Sequence, residues 1–206
     1  MKRIDYKVAL KPFYQPSVRE VTVVEVPAMQ FLQISGAGAP GSPAYQAAVE
    51  ALYTVSYTLK FMIKRELRLM DYGVMPLEGL WWADDMEDYI TRRKESWKWN
   101  LMIMQPDCVT PELYGEAVDR ARRKKPLQTL DSIAFETFAE GRCAQILHKG
   151  PFEEEGPTVQ RIHEYIANSG HFLSGKHHEI YLTDIRRALP ANWRTVIRQP
   201  MRRAGE

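Results

Sequence analysis

The feature that most constrains the fold of this 206-residue chain is a sequence pattern that occurs twice. The segments Trp99–Pro106 and Trp193–Pro200 share their tryptophan, one isoleucine and a Gln-Pro ending. Upstream of each, a glutamate lies in an apolar or aromatic stretch, and a glycine follows the strand that precedes a long helix (Glu78 and Glu179; Gly36 and Gly150). Three matches in the same order indicate a duplicated unit.

The hydrophobic pattern assigns one strand, one helix and two further strands to each repeat. A helix of about twenty residues begins after Ser42, and a second runs from Gly156-Pro157 to about residue 168. The repeats span about 20–106 and about 131–200 of a single domain, 1–206. The predicted fold class is therefore α+β. The duplicated strand-helix-strand-strand units form a pseudo-twofold sheet with helices on one side and a central cleft between the copies.

Prolines and turn residues set the predicted strand ends. Pro27 is expected to interrupt the first strand and Pro200 to end the last one. A third helix, capped by Thr110-Pro111, is expected to run to Lys125. The predicted strands are Glu20–Val26, Phe31–Ser35, Tyr72–Trp82, Trp97–Gln105, Ile133–Phe138, Cys143–His148, His178–Thr183 and Arg194–Arg198, with an exposed excursion over Asp84–Lys94.

Composition excludes several classes of protein. Apolar residues make up 45% and charged residues 26%, which is ordinary for a globular domain rather than a disordered chain. A net charge of +2 is too small for a surface committed to nucleic acid. Neither a signal-peptide core nor an apolar run long enough to span a membrane occurs. The two cysteines, Cys108 and Cys143, form no CxxC pair and fit a reducing compartment, so a cytoplasmic location is expected.

Glu78 and Glu179 are the most informative polar residues. Because side chains alternate along a strand, Glu78 shares a face with Leu80 and Trp82, and Glu179 shares one with Tyr181. A carboxylate among aromatic groups loses solvation, which raises its pKa or demands a partner. Two alternatives stay open: the acids approach each other across the seam between the repeats, or both lie on a solvated face.

Aromatic residues supply candidate ligand contacts. The five tryptophans include Trp82, which shares the face of Glu78, and Trp97. Flat rings stack on planar ligands and attract cations. Tyr53 and Tyr57 are four residues apart and therefore neighbours on the first long helix. The alternative for most of these rings is burial in the core, and for the tyrosines packing against the sheet.

No motif indicates a cofactor or a metal. Residues Gly36–Gly41 spell GxGxxG, but Pro40 stiffens the loop, and no βαβ closure with a ribose-binding acid follows. His177, His178 and Glu179 with His148 lack metal-binding spacing, because adjacent strand residues point to opposite faces. No Ser, Cys or Asp lies in a triad-like context.

At these residues the chain resembles the GyrI-like small-molecule-binding family, whose domain is a pair of strand-helix-strand-strand units. The matching stretches cover nearly the whole chain. They are Leu52–Phe61, Pro76–Trp82, Trp97–Pro106, His148–Pro151 and His178–Leu182.

The resemblance implies a site between the repeats for planar, often cationic aromatic molecules, with Glu179 contacting the ligand. Some freestanding relatives are hydrolases that open the cyclopropane of DNA-alkylating antibiotics, whereas relatives fused to DNA-binding helices are drug-sensing regulators. About twenty residues precede the first strand, so this chain is expected to be freestanding.

Two functions from different classes follow. In a hydrolase, Glu179 and Tyr181 are the candidate catalytic residues, acting on water and on a substrate carbonyl. In a pure binding protein, the same cleft only holds the ligand. The candidate ligand-binding residues are Glu78, Trp82, Leu80, Trp97, Tyr57, Tyr53 and His148. A planar aromatic small molecule is the predicted partner, without nucleic acid or membrane, and the sequence sets no oligomeric state.

Overall fold

A computed structural model describes residues 2–85 and 93–205. The fold is mixed α/β. The strands are β1 (Lys2–Ile4), β2 (Thr22–Ala37), β3 (Met70–Tyr72), β4 (Leu77–Trp82), β5 (Lys98–Gln105), β6 (Ala134–Lys149), β7 (His171–Leu173), β8 (His177–Tyr181) and β9 (Arg194–Arg203). The helices are α1 (Tyr6–Ala9), α2 (Lys11–Tyr14), α3 (Pro43–Phe61), α4 (Pro111–Lys124) and α5 (Gly156–Asn168).

Two of the three long helices begin at the capping residues that the sequence predicts. The Ser42 side chain accepts a hydrogen bond from the Tyr45 amide at 3.3 Å, and Pro43 occupies the first turn of α3. Thr110 caps α4 in the same way, with the Leu113 amide as donor. None of the helices described is long and apolar enough to cross a membrane.

The predicted strand ends are wrong at two prolines. β2 continues through Pro27, and β9 continues through Pro200, which lies opposite Cys143. A proline removes only one ladder donor, and flanking pairs keep a long strand together. Residues 134–149 form one strand where two were expected, whereas the stretch 72–82 contains the last residue of β3 and all of β4. Most of the predicted excursion over residues 84–94 lies outside the described residues.

The chain forms two compact units. Unit 1 comprises the segment up to Ala9 and Met29–Phe138; unit 2 comprises Leu10–Ala28 and the chain from Ala139 onwards. Residues 20–28, expected in the first repeat, therefore belong to unit 2. The pseudo-twofold relation between the repeats stays a prediction.

In unit 1, β5 lies between β2 and β4, and both pairings are antiparallel. Trp99 of β5 lies opposite Gly36 on one side and Trp81 on the other. A Cβ atom on Gly36 would lie 2.2 Å from the Trp99 ring, so only glycine fits there. Helix α3 packs on this face, because Gln105 donates to the Ser56 hydroxyl at 3.2 Å.

In unit 2, β9 lies between β6 and β8, and β7 pairs with its end. Helix α5 covers one face of these strands. Its Ile162 and Ile166 pack in a buried cluster with Ala144, Ile146, Ile197 and Met201. We call the face that packs against α3 in unit 1, or against α5 in unit 2, the helix side of that unit.

Candidate functional site

Glu179 lies on the helix side of unit 2. It is directly opposite Ile197 of β9, and directly opposed residues share a face. Ile197 belongs to the cluster that packs against α5. By alternation, Tyr181 and His177 of β8 project to the same side.

Two neighbours on the same strand hold the two oxygens of Glu179. The Tyr181 hydroxyl donates to Oε2 at 2.8 Å, and His177 Nε2 lies 3.2 Å from Oε1. The side chains of His177 and Glu179 are 9% and 17% exposed. The structure thus brings together Glu179 and Tyr181, the two predicted catalytic residues, and adds His177.

Glu155 is the second carboxyl group of this site. It precedes α5 and is 7% exposed. Burial, followed by the negative charge of Glu179, raises the pKa of Glu155 to about 9, although a hydrogen bond with Thr195 opposes the shift. Its Oε1 atom has no hydrogen-bond partner within the described part of the chain. Glu155 is therefore a neutral carboxylic acid at pH 7, close enough to Glu179 to sense its charge.

Histidines flank the two acids. His163 of α5 has a pKa lowered by burial and then by His177. His148 of β6 reaches the Thr158 hydroxyl at 2.9 Å through Nδ1 and the Pro151 carbonyl at 3.3 Å through Nε2. Pro151 and Thr158 lie on either side of Glu155 in the chain. His148, predicted to bind ligand, therefore braces the segment that carries Glu155.

Three aromatic rings pack beside the acids. Phe152 lies edge-on to Tyr181, with ring centroids 5.8 Å apart, and 5.0 Å from Trp193. The Trp193 indole donates to the Ala188 carbonyl at 3.0 Å, which fixes its ring. These rings give unit 2 an apolar wall next to its carboxyl pair.

Sequence reasoning missed Glu155, Phe152, Thr195 and the roles of His177 and Trp193. Glu155 ends an acidic run, Glu153-Glu154-Glu155, which is typical of a solvated turn, and only the last member is buried. The one available signal was its position directly before Gly156-Pro157, the predicted start of α5.

Glu78 lies on the opposite face of unit 1, away from α3. It pairs with Met102, three residues along β5 from Trp99, whereas Glu179 pairs with Ile197, four residues along β9 from Trp193. Because side chains alternate along a strand, a residue three positions from Trp99 lies on the other face from that ring, whereas a residue four positions from Trp193 lies on the same face as that ring. The expectation that the two glutamates hold equivalent positions is therefore wrong in register, although β4 and β8 occupy the same place in their units.

Other predicted residues of unit 1 fall on different surfaces. Leu80 and Trp82 share the face of buried Glu78, by alternation along β4. Trp97 packs edge-on to Trp81, with ring centroids 5.8 Å apart. Tyr53 and Tyr57 are 6.2 Å apart on α3, and Tyr57 is 47% exposed, so it does not pack in the core.

A buried ionic cluster occupies the other face of unit 2. Arg198 donates to Glu140 and to the Phe13 carbonyl at 2.9 and 2.6 Å, and His178 lies 2.9 Å from Glu140. Burial alone would raise the pKa of Glu140, but His178 and Arg198 outweigh it and hold the pKa at about 2. Among the described residues, no group of three or more His, Cys, Asp or Glu side chains is arranged to hold a metal ion.

Comparison with known proteins places this geometry in context. A family model described as a GyrI-like small molecule binding domain matches residues 19–202. No curated protein matches the chain at a significant level.

Solved structures from Listeria innocua are similar over the full length. An uncharacterized conserved protein is 38% identical, with a TM-score of 0.88 over 97% of this chain and 100% of its own. A hydrolase from the same organism is also 38% identical over the same shares, with a TM-score of 0.85. The EcmrR C-terminal domain is 12% identical over 89% of this chain and 98% of its own, with a TM-score of 0.57, so that likeness concerns the fold alone.

Proposed function

Because the chain belongs to the GyrI-like small-molecule-binding family, we propose that it binds planar aromatic, often cationic molecules on the helix side of unit 2. We further propose that it is a detoxifying hydrolase, which opens cyclopropane-bearing alkylators by adding water. The observation that carries this proposal is the carboxyl pair, in which Glu155 is protonated beside the hydrogen-bonded Glu179.

A pair of acids in different protonation states can perform acid and base chemistry at one pH. Glu179 only accepts hydrogen bonds when ionised, which suits its contact with the Tyr181 hydroxyl. Glu155 carries a proton that it can donate. The aromatic wall of Phe152, Tyr181 and Trp193 is suited to a flat substrate.

The proposed reaction adds one water to a cyclopropane conjugated to a dienone. Glu179 takes a proton from water, whose oxygen forms a bond to the strained ring carbon. The ring C–C bond breaks, and its electron pair moves through the dienone to the carbonyl oxygen, which takes the proton of Glu155 and becomes a phenol. Glu179 is then protonated and Glu155 ionised, and a proton passing from one to the other restores the pair. Ring strain lowers the barrier, so general acid–base help of 10²–10⁴-fold, a typical range, is sufficient.

The Listeria innocua hydrolase, 38% identical to this chain, favours an enzyme over a binding protein. The alternative is a non-catalytic drug-binding protein, in which Glu179 offsets the charge of a cationic ligand and no bond is broken. The aromatic wall is equally suited to that function.

Incubation with a cyclopropane-bearing alkylator, followed by mass spectrometry, tests the proposal. A hydrolase produces the alkylator plus one water, and Glu179→Gln loses that product while still binding the compound. Glu164→Gln, an exposed position on α5, is the matched control and keeps wild-type turnover. Complex formation without any water adduct in the wild type would identify a binding protein.

A further inference from the structure

His177 contacts the proposed base, yet the proposed reaction assigns it no step. Its Nε2 lies 3.2 Å from Glu179 Oε1, and its side chain is only 9% exposed. Since His177 and Glu179 are two residues apart on β8, the strand itself fixes their spacing.

We propose that His177 is a positioning residue that, with Tyr181, clamps the two oxygens of Glu179 so that this carboxylate faces water as the base opposite Glu155. This inference rests on the proposed function. Tyr181 holds Oε2 at 2.8 Å and His177 holds Oε1, so rotation of the carboxylate about its last bond would break both contacts. A carboxylate is acceptor-only, and therefore Nε2 of His177 carries the hydrogen in this pair.

Two hydrogen-bond donors on one carboxylate stabilise its ionised form. That form is needed twice: it accepts the proton of water, and its charge contributes to keeping Glu155 protonated. The titratable groups that act on Glu179 include Glu155, which precedes α5, and His177 and Tyr181 on β8. Glu153 in turn acts on Glu155, and His163 of α5 interacts with His177.

The neighbouring His163 is consistent with this arrangement. Burial, followed by the influence of His177, lowers its pKa, so His163 stays neutral at pH 7 beside His177. His177 is in hydrogen-bond contact with the proposed base.

Substitutions at His177 distinguish the effect of its hydrogen bond to Glu179 from the effect of the size of its ring. His177→Phe keeps a ring without a donor, whereas His177→Gln keeps an amide N–H at a similar reach. In His177→Phe, kcat should fall about tenfold while KM stays nearly unchanged, because Glu179 keeps only one of the two contacts that orient it. His177→Gln should restore the wild-type kcat. His171→Phe is the control and should leave kcat unchanged, because the His171 ring contacts Ser169 instead.

A measurement on the protein without substrate tests the role of His177 independently of the proposed reaction. In the protein alone, the carboxyl-¹³C signal of Glu179, assigned by its loss in Glu179→Gln, should move in His177→Phe relative to wild type at pH 7, because one of the two hydrogen bonds to this carboxylate is lost. Should His177→Phe not fold, His177→Asn, which is too short to reach Oε1, gives the same comparison.

A changed Glu179 signal together with a lower kcat in His177→Phe supports the positioning role. If the signal changes in the variant but the wild type produces no water adduct, the clamp is retained and the proposed hydrolysis is overturned. An unchanged Glu179 signal in both His177→Phe and His177→Asn would overturn the inference.

Discussion

On the helix side of unit 1, Tyr45 stacks on Trp81 with ring centroids 6.0 Å apart and packs edge-on against Trp99. The helix side of unit 2 instead carries Glu155 and Glu179, beside a wall of aromatic rings. Each unit has a strand, β5 or β9, that lies between two antiparallel neighbours. Their difference therefore lies in the side chains that the strands present to the helix.

Strand register produces that difference. Shifting a strand by one residue exchanges its two faces. With tryptophans in equivalent places, Glu78 turns away from α3 and Glu179 turns toward α5. Two units with the same order of strands can thus present different side chains to their helices.

The largest expected effect concerns which glutamate acts. Glu179→Gln should lower kcat/KM by roughly two to four orders of magnitude, because it removes the proposed general base. Glu78→Gln, measured on folded protein, should stay within about threefold of wild type, less than about 1 kcal/mol. Equal losses in the two variants, measured by product formation, would break the distinction between the units.

The ionic cluster on the other face of unit 2 offers a second test. Glu140→Gln leaves Arg198 buried without its counter-charge, which should cost about 3–5 kcal/mol in the free energy of unfolding. Glu136→Gln in unit 1 is the matched control, because Glu136 is exposed and accepts from Gln33, and it should cost less than about 1 kcal/mol. Denaturant melts of the three proteins give the comparison.

Glu140 also makes the free energy of unfolding depend on pH. Its pKa of about 2 in the folded protein lies below the ordinary value of 4.5, so its contribution is fully present above pH 4.5 and is lost as pH falls toward 2. Glu140→Gln should therefore show a weaker loss of stability between pH 4.5 and pH 2 than wild type. An equal loss of unfolding free energy in wild type and variant over this pH range would contradict this prediction.

Glu155 should affect the pH dependence of stability with the opposite sign. Its raised pKa means that the unfolded chain ionises first, so the folded state loses stability as pH rises from 4.5 to about 9. Glu155→Gln removes that cost and should stabilise the protein at pH 7 by about 2 kcal/mol, while turnover falls about a hundredfold. An unchanged pH dependence of unfolding would show that Glu155 is not a buried neutral acid.

The smallest expected effect distinguishes the aromatic rings. A planar cationic dye should quench tryptophan fluorescence, and Trp193→Phe should reduce the quenching more than Trp82→Phe. Replacing the indole by the smaller phenyl ring weakens stacking by less than the about 0.5–1.5 kcal/mol that a whole aromatic pair contributes. A larger effect at Trp82 would move the ligand to the face of Glu78.

Local signals made the helix starts predictable, since Ser42 and Thr110 are caps and Pro157 lies in the first turn of its helix. The strands were less predictable, because β2 and β9 both continue through a proline, and in β9 that proline lies opposite a residue of β6.

Glu179 and Tyr181 could be proposed from the sequence because an acid in an aromatic strand is conspicuous and because the family resemblance points to Glu179. Glu155 was not, because its burial depends on contacts across unit 2 that no local pattern records.

The most direct test of a ligand site on the helix side of unit 2 is a crystal structure with a bound planar cationic dye. The dye ring should lie against Phe152 or Trp193, with its polar group within hydrogen-bond reach of Glu179 or Glu155. A dye bound against Glu78 and Trp82, with Glu155 and Glu179 untouched, would contradict the claim that the ligand site lies on the helix side of unit 2.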